Sequence, residues 1–147
     1  MSDLQKALAV LKANNYKLTK QRQALLQYLA TNADYYIALA QIDQHLRAMF
    51  PKMSHETVYR NVKEMHDIGI VETKHFQNGL RAKFQCDFLS QKHSHFICQN
   101  CGRTTEIPLP DFATAQAELG NCIIKTQLVE LQGICAQCNQ KQPPEGD

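Results

Sequence analysis

Ile70-Val71-Glu72-Thr73-Lys74-His75-Phe76-Gln77-Asn78-Gly79-Leu80-Arg81-Ala82-Lys83-Phe84-Gln85-Cys86 is the stretch that decides the fold. Two strand-like runs, 70–76 and 82–86, flank an Asn-Gly pair, the dipeptide that accepts the positive φ angles of a tight hairpin turn. Upstream of the hairpin the pattern is helical. Ser54 suits an N-cap, Glu56 favours the positive end of the helix dipole, and Val58, Val62 and Met65 form an apolar seam. Gly69 is the expected stop. Ile42, Leu46 and Met49 mark an earlier helix that ends before Pro51. Leu25, Leu26 and Leu29 are the stripe of a helix capped by Thr19, and Leu4, Leu8 and Leu11 share a face of the first. Helices that close on a two-stranded hairpin predict a winged helix over residues 1–84, with the Ser54-capped helix placed to enter a major groove.

Downstream the pattern changes. Phe96–Cys98 and Thr104–Ile107 read as strands with Gly102 turning between them. Asp111–Leu119 reads as a helix whose start is marked by Pro108 and Pro110, and Cys122–Leu131 as a longer strand. The fold class expected is therefore α+β: a winged helix followed by a small α/β unit over 85–139, with a disordered tail over 140–147.

All six cysteines fall in this second part. Cys98-Gln-Asn-Cys101 and Cys135-Ala-Gln-Cys138 are two CxxC knuckles whose four thiolates match the tetrahedral set of a structural zinc. Cys135 lies 34 positions after Cys101, so the metal would close a long loop. The competing reading is a pair of redox dithiols. His93-Ser-His95, with Cys86 before it, forms a second group of ligands. On a strand His93 and His95 face one side, and a metal that also took Cys86 would tie the two domains together as an exchangeable, regulatory zinc. Surface histidines beside a buried thiol are the plainer reading. Cys122, outside both groups, is expected to be a buried small hydrophobe.

The net charge of +2 hides an asymmetry. Residues 1–84 carry 12 basic and 7 acidic side chains, +5, whereas 85–147 carry 4 and 7, −3. A basic helical half fits a polyanionic partner. No run is long and apolar enough for a membrane span and no signal-peptide pattern opens the chain, so a cytoplasmic location is expected. There, cysteines serve better as ligands or redox thiols than as disulfides. A zinc hydrolase of the deaminase type needs His-x-Glu and Pro-Cys-x-x-Cys. The text here is His93-Ser-His95 and Ile97-Cys98, so no enzyme activity is expected.

Taken in order, Leu18-Thr-Lys-Gln-Arg22, Ser54-His-Glu-Thr-Val-Tyr-Arg-Asn-Val62, His93-Ser-His-Phe-Ile-Cys98-x-x-Cys101-Gly102 and Gly133-Ile-Cys135-x-x-Cys138 resemble the ferric uptake regulator family of bacterial metal-dependent repressors. Within it, the chain looks most like the zinc uptake regulator branch. The resemblance implies a homodimer that binds double-stranded operator DNA through the winged helix and dimerises through the second domain. It implies one structural zinc on Cys98, Cys101, Cys135 and Cys138 and one regulatory zinc on Cys86, His93 and His95. The fourth regulatory ligand is left among His75, Glu106 and Glu72. Asp87 would point to the opposite strand face from Cys86.

Departures from the family pattern favour zinc. Tyr36 stands at or near a histidine position of the iron and peroxide sensors. Cys86 replaces a harder ligand, and thiolate is the softer donor. A further site of many members would use positions that here are Lys92, Ser94 and Gln127, so it is expected to be missing. DNA contacts are expected from Lys17, Thr19 and Arg22 at one helix start, and from Ser54, His55, Thr57, Tyr59 and Arg60 on the reader helix, with Arg81 and Lys83 adding to them. His45 and His66 read as surface residues. An iron, manganese or peroxide sensor of the same family, and a thiol redox switch, are the alternatives.

Overall fold

The computed structural model describes residues 2–85, 94–125, 127 and 129–141. The chain divides into two units, Met1–Phe88 and Leu89–Asp147. In the first, α1 (Asp3–Ala13), α2 (Lys20–Thr31), β1 (Ile37–Ala38), α3 (Leu39–Met49) and α4 (His55–Asp67) lead into the hairpin β2 (Val71–Phe76) and β3 (Gly79–Phe84). Local chemistry sets the helix starts. The Arg22 N–H donates to Thr19 Oγ1 at 3.2 Å and the Thr57 N–H to Ser54 Oγ at 3.2 Å, each satisfying an otherwise orphaned donor. Gly69, at φ +84°, ends the turn after α4, where a Cβ would be strained.

Leu11, Leu25, Leu26, Leu29, Ile42, Leu46, Val58, Val62, Met65 and Phe84 meet in one core that the hairpin closes. Full burial of each such side chain contributes roughly 1.5–3 kcal/mol. The hairpin has register Phe76↔Gly79 through Val71↔Phe84. β1, which sequence periodicity did not reveal, adds a third antiparallel strand with Ile37 opposite Ala82. Its two residues owe their extended form to pairing with β3, a tertiary effect. Met49 is the last residue of α3, as its spacing with Ile42 and Leu46 predicts. It is 54% exposed, because α3 ends there and Phe50 breaks away ahead of Pro51.

The second unit holds β4 (Ser94–Cys98), β5 (Thr104–Ile107), α5 (Ala113–Leu119), β6 (Glu130–Gly133) and α6 (Ala136–Lys141). The sheet order is β5-β4-β6, with β4 antiparallel to β5 and parallel to β6. Among the described residues of the strand expected over 122–131, Glu130 and Leu131 are extended, and the strand runs on to Gly133 beside β4. α6 extends through Gln140 and Lys141, so these residues are helical rather than part of a disordered tail; residues 142–147 lie outside the described residues. Cys122 is exposed rather than buried, since it follows the end of α5 in a stretch without regular structure. Among the described residues no helix is long and apolar enough to cross a membrane.

Candidate metal centre and nucleic-acid surface

β4 ends at Cys98 itself, and β6 ends two residues before Cys135. The register Cys98↔Gly133, reinforced by the Gln99 N–H donating to the Gly133 carbonyl at 2.7 Å, therefore brings the two knuckles together. Gly133 leaves room for a close neighbour here. A Cβ at this position would lie 3.3 Å from the Phe96 ring, which fills the space beside the strand. Cys138 arrives from α6.

The four Sγ atoms lie within 4.8 Å of one another, with Cys101 and Cys135 Sγ 3.8 Å apart. That spacing excludes a disulfide, whose S–S bond is about 2.0 Å. It matches the edge of a tetrathiolate tetrahedron, about 3.8 Å for metal–sulfur bonds of about 2.3 Å. Among the described residues this is the one cluster suited to a metal ion.

The electrostatics also suit a cation. Burial raises the Cys98 thiol, but N–H groups of Cys101, Cys135 and Asn100 favour its thiolate and bring it down to about 6. Two of these donors, Cys101 N–H and Cys135 N–H, each stand 3.4 Å from Cys98 Sγ. Cys101 is pushed the other way, to about 12, by burial and by the neighbouring sulfurs, against one N–H from Arg103. Ionising all four thiols together thus needs a positive charge among them, which a bound metal supplies.

Of the expected regulatory ligands, Cys86 and His93 lie outside the described residues. His95 is half-buried on β4, directly opposite Glu106 on β5. Glu130, which the sequence reading did not single out, flanks His95 from the other side through the β4–β6 register. Of the two candidates on the hairpin, Glu72 accepts a hydrogen bond from the buried Tyr36 hydroxyl at 3.2 Å, whereas His75 is exposed. Strand alternation puts them on opposite faces of β2.

The expected DNA contacts surround the exposed side of α4. Tyr59 is 43% exposed and Arg60 projects past Glu64, its Nε 4.0 Å from Glu64 Oε1. Ser54 and Thr57 hydroxyls are 2.9 Å apart at the helix start. His55 is engaged: its Nδ1 is 2.7 Å from Oδ2 of the buried Asp43, and Arg47 Nη1 is 3.6 Å from the same oxygen. Neither Asp43 nor Arg47 carried a sequence signal. This cluster anchors the first turn of α4 to α3.

Lys17 is exposed at the start of α2. Thr19 is committed to capping, and Arg22 is held by the Lys17 carbonyl at 2.8 Å, by Glu64 at 3.5 Å and over the Tyr16 ring. Arg22 therefore braces α2 against α4. Arg81 and Lys83 do not offer free cations. They are 8% and 3% exposed, Arg81 lying over the Phe76 ring and Lys83 Nζ donating to the Phe84 carbonyl at 3.1 Å. His45 stacks on Tyr28, and His66 is exposed beside Asp67.

Comparisons with known proteins agree with this architecture. Residues 13–132 match the ferric uptake regulator family. The ferric uptake regulation protein of Staphylococcus epidermidis is 33% identical over 135 residues, covering 92% of this chain and 95% of that protein. The peroxide operon regulator of Bacillus subtilis is 29% identical over 143 residues, covering 95% and 96%. Among solved structures, the Helicobacter pylori ferric uptake regulator superposes with a TM-score of 0.65 at 20% identity, covering 93% of this chain and 91% of that one. A zinc uptake regulator in complex with zinc and DNA gives 0.63 at 23%, covering 94% and 93%. At these identities the two structures establish the fold alone. The chain belongs to the ferric uptake regulator family of metal-responsive, DNA-binding transcriptional regulators.

Proposed function

We propose that this protein is a cytoplasmic, homodimeric repressor that binds double-stranded operator DNA when zinc occupies a regulatory site. The observation that carries the reading is the pairing of His95 with Glu106 across β4 and β5. It supports Cys86, His93, His95 and Glu106 as the regulatory set, a sulfur, two imidazoles and a carboxylate that suit tetrahedral zinc. Tyr36, buried and bonded to Glu72, supports the same metal, because it offers no imidazole and engages a rival carboxylate.

The tetrathiolate of Cys98, Cys101, Cys135 and Cys138 would hold a second, structural zinc. Bound there, zinc supplies positive charge and four directional bonds; the chain supplies the preset sulfur spacing and the N–H groups on Cys98. Dimerisation through the second unit is supported by its uncovered apolar surface. α5 buries none of its residues, Leu131 on the edge strand β6 is 51% exposed, and Ile123 is 77% exposed. In the first unit, a winged helix, Tyr59 and Arg60 would read bases while Lys17 and the α4 first turn meet phosphates.

A switch from 1:99 to 99:1 in the DNA-competent state needs about 5.5 kcal/mol of differential zinc binding. By linkage, operator DNA tightens zinc by the same factor. The test is a zinc titration of binding to DNA selected from a random pool by the zinc-loaded protein, comparing wild type with Cys86→Ser. Loss of response with one zinc per chain retained is expected; an unaltered response removes Cys86 from the sensor. The named relatives, ferric uptake and peroxide regulators, favour a different metal, and activation by ferrous ion alone would decide for it. A thiol redox switch is the other alternative, which zinc retention after mild peroxide, followed by mass spectrometry, would rule out as the primary signal.

A further inference from the structure

A cleft of about 740 Å³ opens between the start of α2, the α3–α4 loop and α4, within the roughly 300–1,000 Å³ of small-molecule sites. Its walls differ in chemistry. One is apolar: Met49, Phe50, Pro51 and Met53 line it, and Met49 is 54% exposed with nothing to cover it. The other is cationic: Arg22, Lys52 and Arg60 border it, with Glu64 behind the two arginines. Both capped helix starts, at Thr19 and Ser54, open into the same space and add their positive ends.

The decisive residue is Asn61. It lines the cleft, is 5% exposed, and its side-chain amide makes no hydrogen bond among the described residues. The amide is not sealed from the cleft, so its N–H groups stand open to whatever enters. An occupant carrying oxygen acceptors would take them, and the surrounding cations favour an anionic one. A bare anion leaves the methionine-rich wall uncovered. A purely apolar molecule leaves Asn61 unpaired.

We propose that this cleft binds a small organic anion with an apolar body, an aryl or short-chain alkyl phosphate or carboxylate. Thr57 and Arg60 border both the cleft and the proposed DNA surface. An occupant would therefore compete with operator DNA, a consequence that rests on the DNA reading above, whereas binding itself does not.

The test follows the Asn61 side-chain amide and the Met49 and Met53 methyl resonances by NMR in the DNA-free protein. The probes are phenyl phosphate, benzoate, inorganic phosphate and benzyl alcohol. Phenyl phosphate or benzoate should saturate at least about tenfold more tightly than inorganic phosphate, the effect of roughly 60 Å² of newly buried apolar surface. The tighter of the two identifies the headgroup. Asn61→Asp should weaken binding at least about tenfold by setting like charges together. Met49→Ser, at an exposed position that does not endanger folding, should close the gap to inorganic phosphate. Equal affinity for inorganic and phenyl phosphate, no saturable shift, or binding unchanged in both variants would overturn the site. Saturable binding that fails to displace DNA would leave the site standing and overturn the competition.

Discussion

Stripping the metal from the four-cysteine centre should unfold the second unit and leave the first intact. Among its described residues the second unit buries three hydrophobic side chains, Ile97, Cys98 and Cys138, and two of the three belong to the four-cysteine cluster. A small unit with so little core has no more than about 3–5 kcal/mol to draw on. The cross-link between Cys101 and Cys135, 34 positions apart, removes chain entropy worth about 4 kcal/mol if it acts as a covalent bridge would. The metal's share is thus about the whole margin. The first unit, with its core from Leu11 to Phe84, has no part in this.

Hydrogen exchange read by mass spectrometry resolves the two units. Between the zinc-loaded protein and chelator-treated Cys101→Ser, amides of β4, β5 and β6 should lose protection by about a thousandfold, the equivalent of 4 kcal/mol. Amides of α2, α3 and α4 should not change. Strands that stay protected without metal would refute the reasoning, since the sheet would then hold itself. Parallel loss in both units would refute it differently, because the units would not be energetically separate.

Three further outcomes are expected in the first unit. Ser54→Ala removes the α4 cap and should cost about 1 kcal/mol in denaturant unfolding, with zinc stoichiometry unchanged. Asp43→Ala leaves His55 and Arg47 without their shared acceptor; a loss of about 1–3 kcal/mol is expected by the same assay, and none would mean the cluster contributes nothing. Tyr59→Ala with Arg60→Gln should leave stability within about 0.5 kcal/mol, as both are exposed, yet weaken DNA binding and lower its salt slope by about one unit.

The elements legible from sequence were those determined locally. Thr19 and Ser54 announced two helix starts because a cap needs only its own next three residues. Asn78-Gly79 announced the hairpin for a similar reason, and Gly79 adopts φ +125°. The four-cysteine centre was legible because a CxxC knuckle is local and a metal has few other ways to pair two of them. What escaped was set by partners distant in the chain. β1 is a strand because of β3, and Glu130–Gly133 is a strand because it pairs with β4. Asn61 and Asp43 are buried although their types favour solvent, since neighbouring helices cover them. Arg81 and Lys83 looked like surface cations because alternation along a strand does not tell which face is covered.

The parallel pairing of β4 with β6 gives the metal a role in the order of folding events. A strand returning after a long crossover can dock one residue out of step, and each such slip moves it about 3.3 Å and reverses every side chain. Backbone hydrogen bonds alone penalise that error weakly. The sulfur edge between Cys101 and Cys135 is only 3.8 Å, so a single slip carries one knuckle beyond coordination distance. Metal capture would therefore act as a checkpoint: a chain that mis-docked β6 would lack the complete sulfur set, and only the Cys98–Gly133 register would let an ion close the structure.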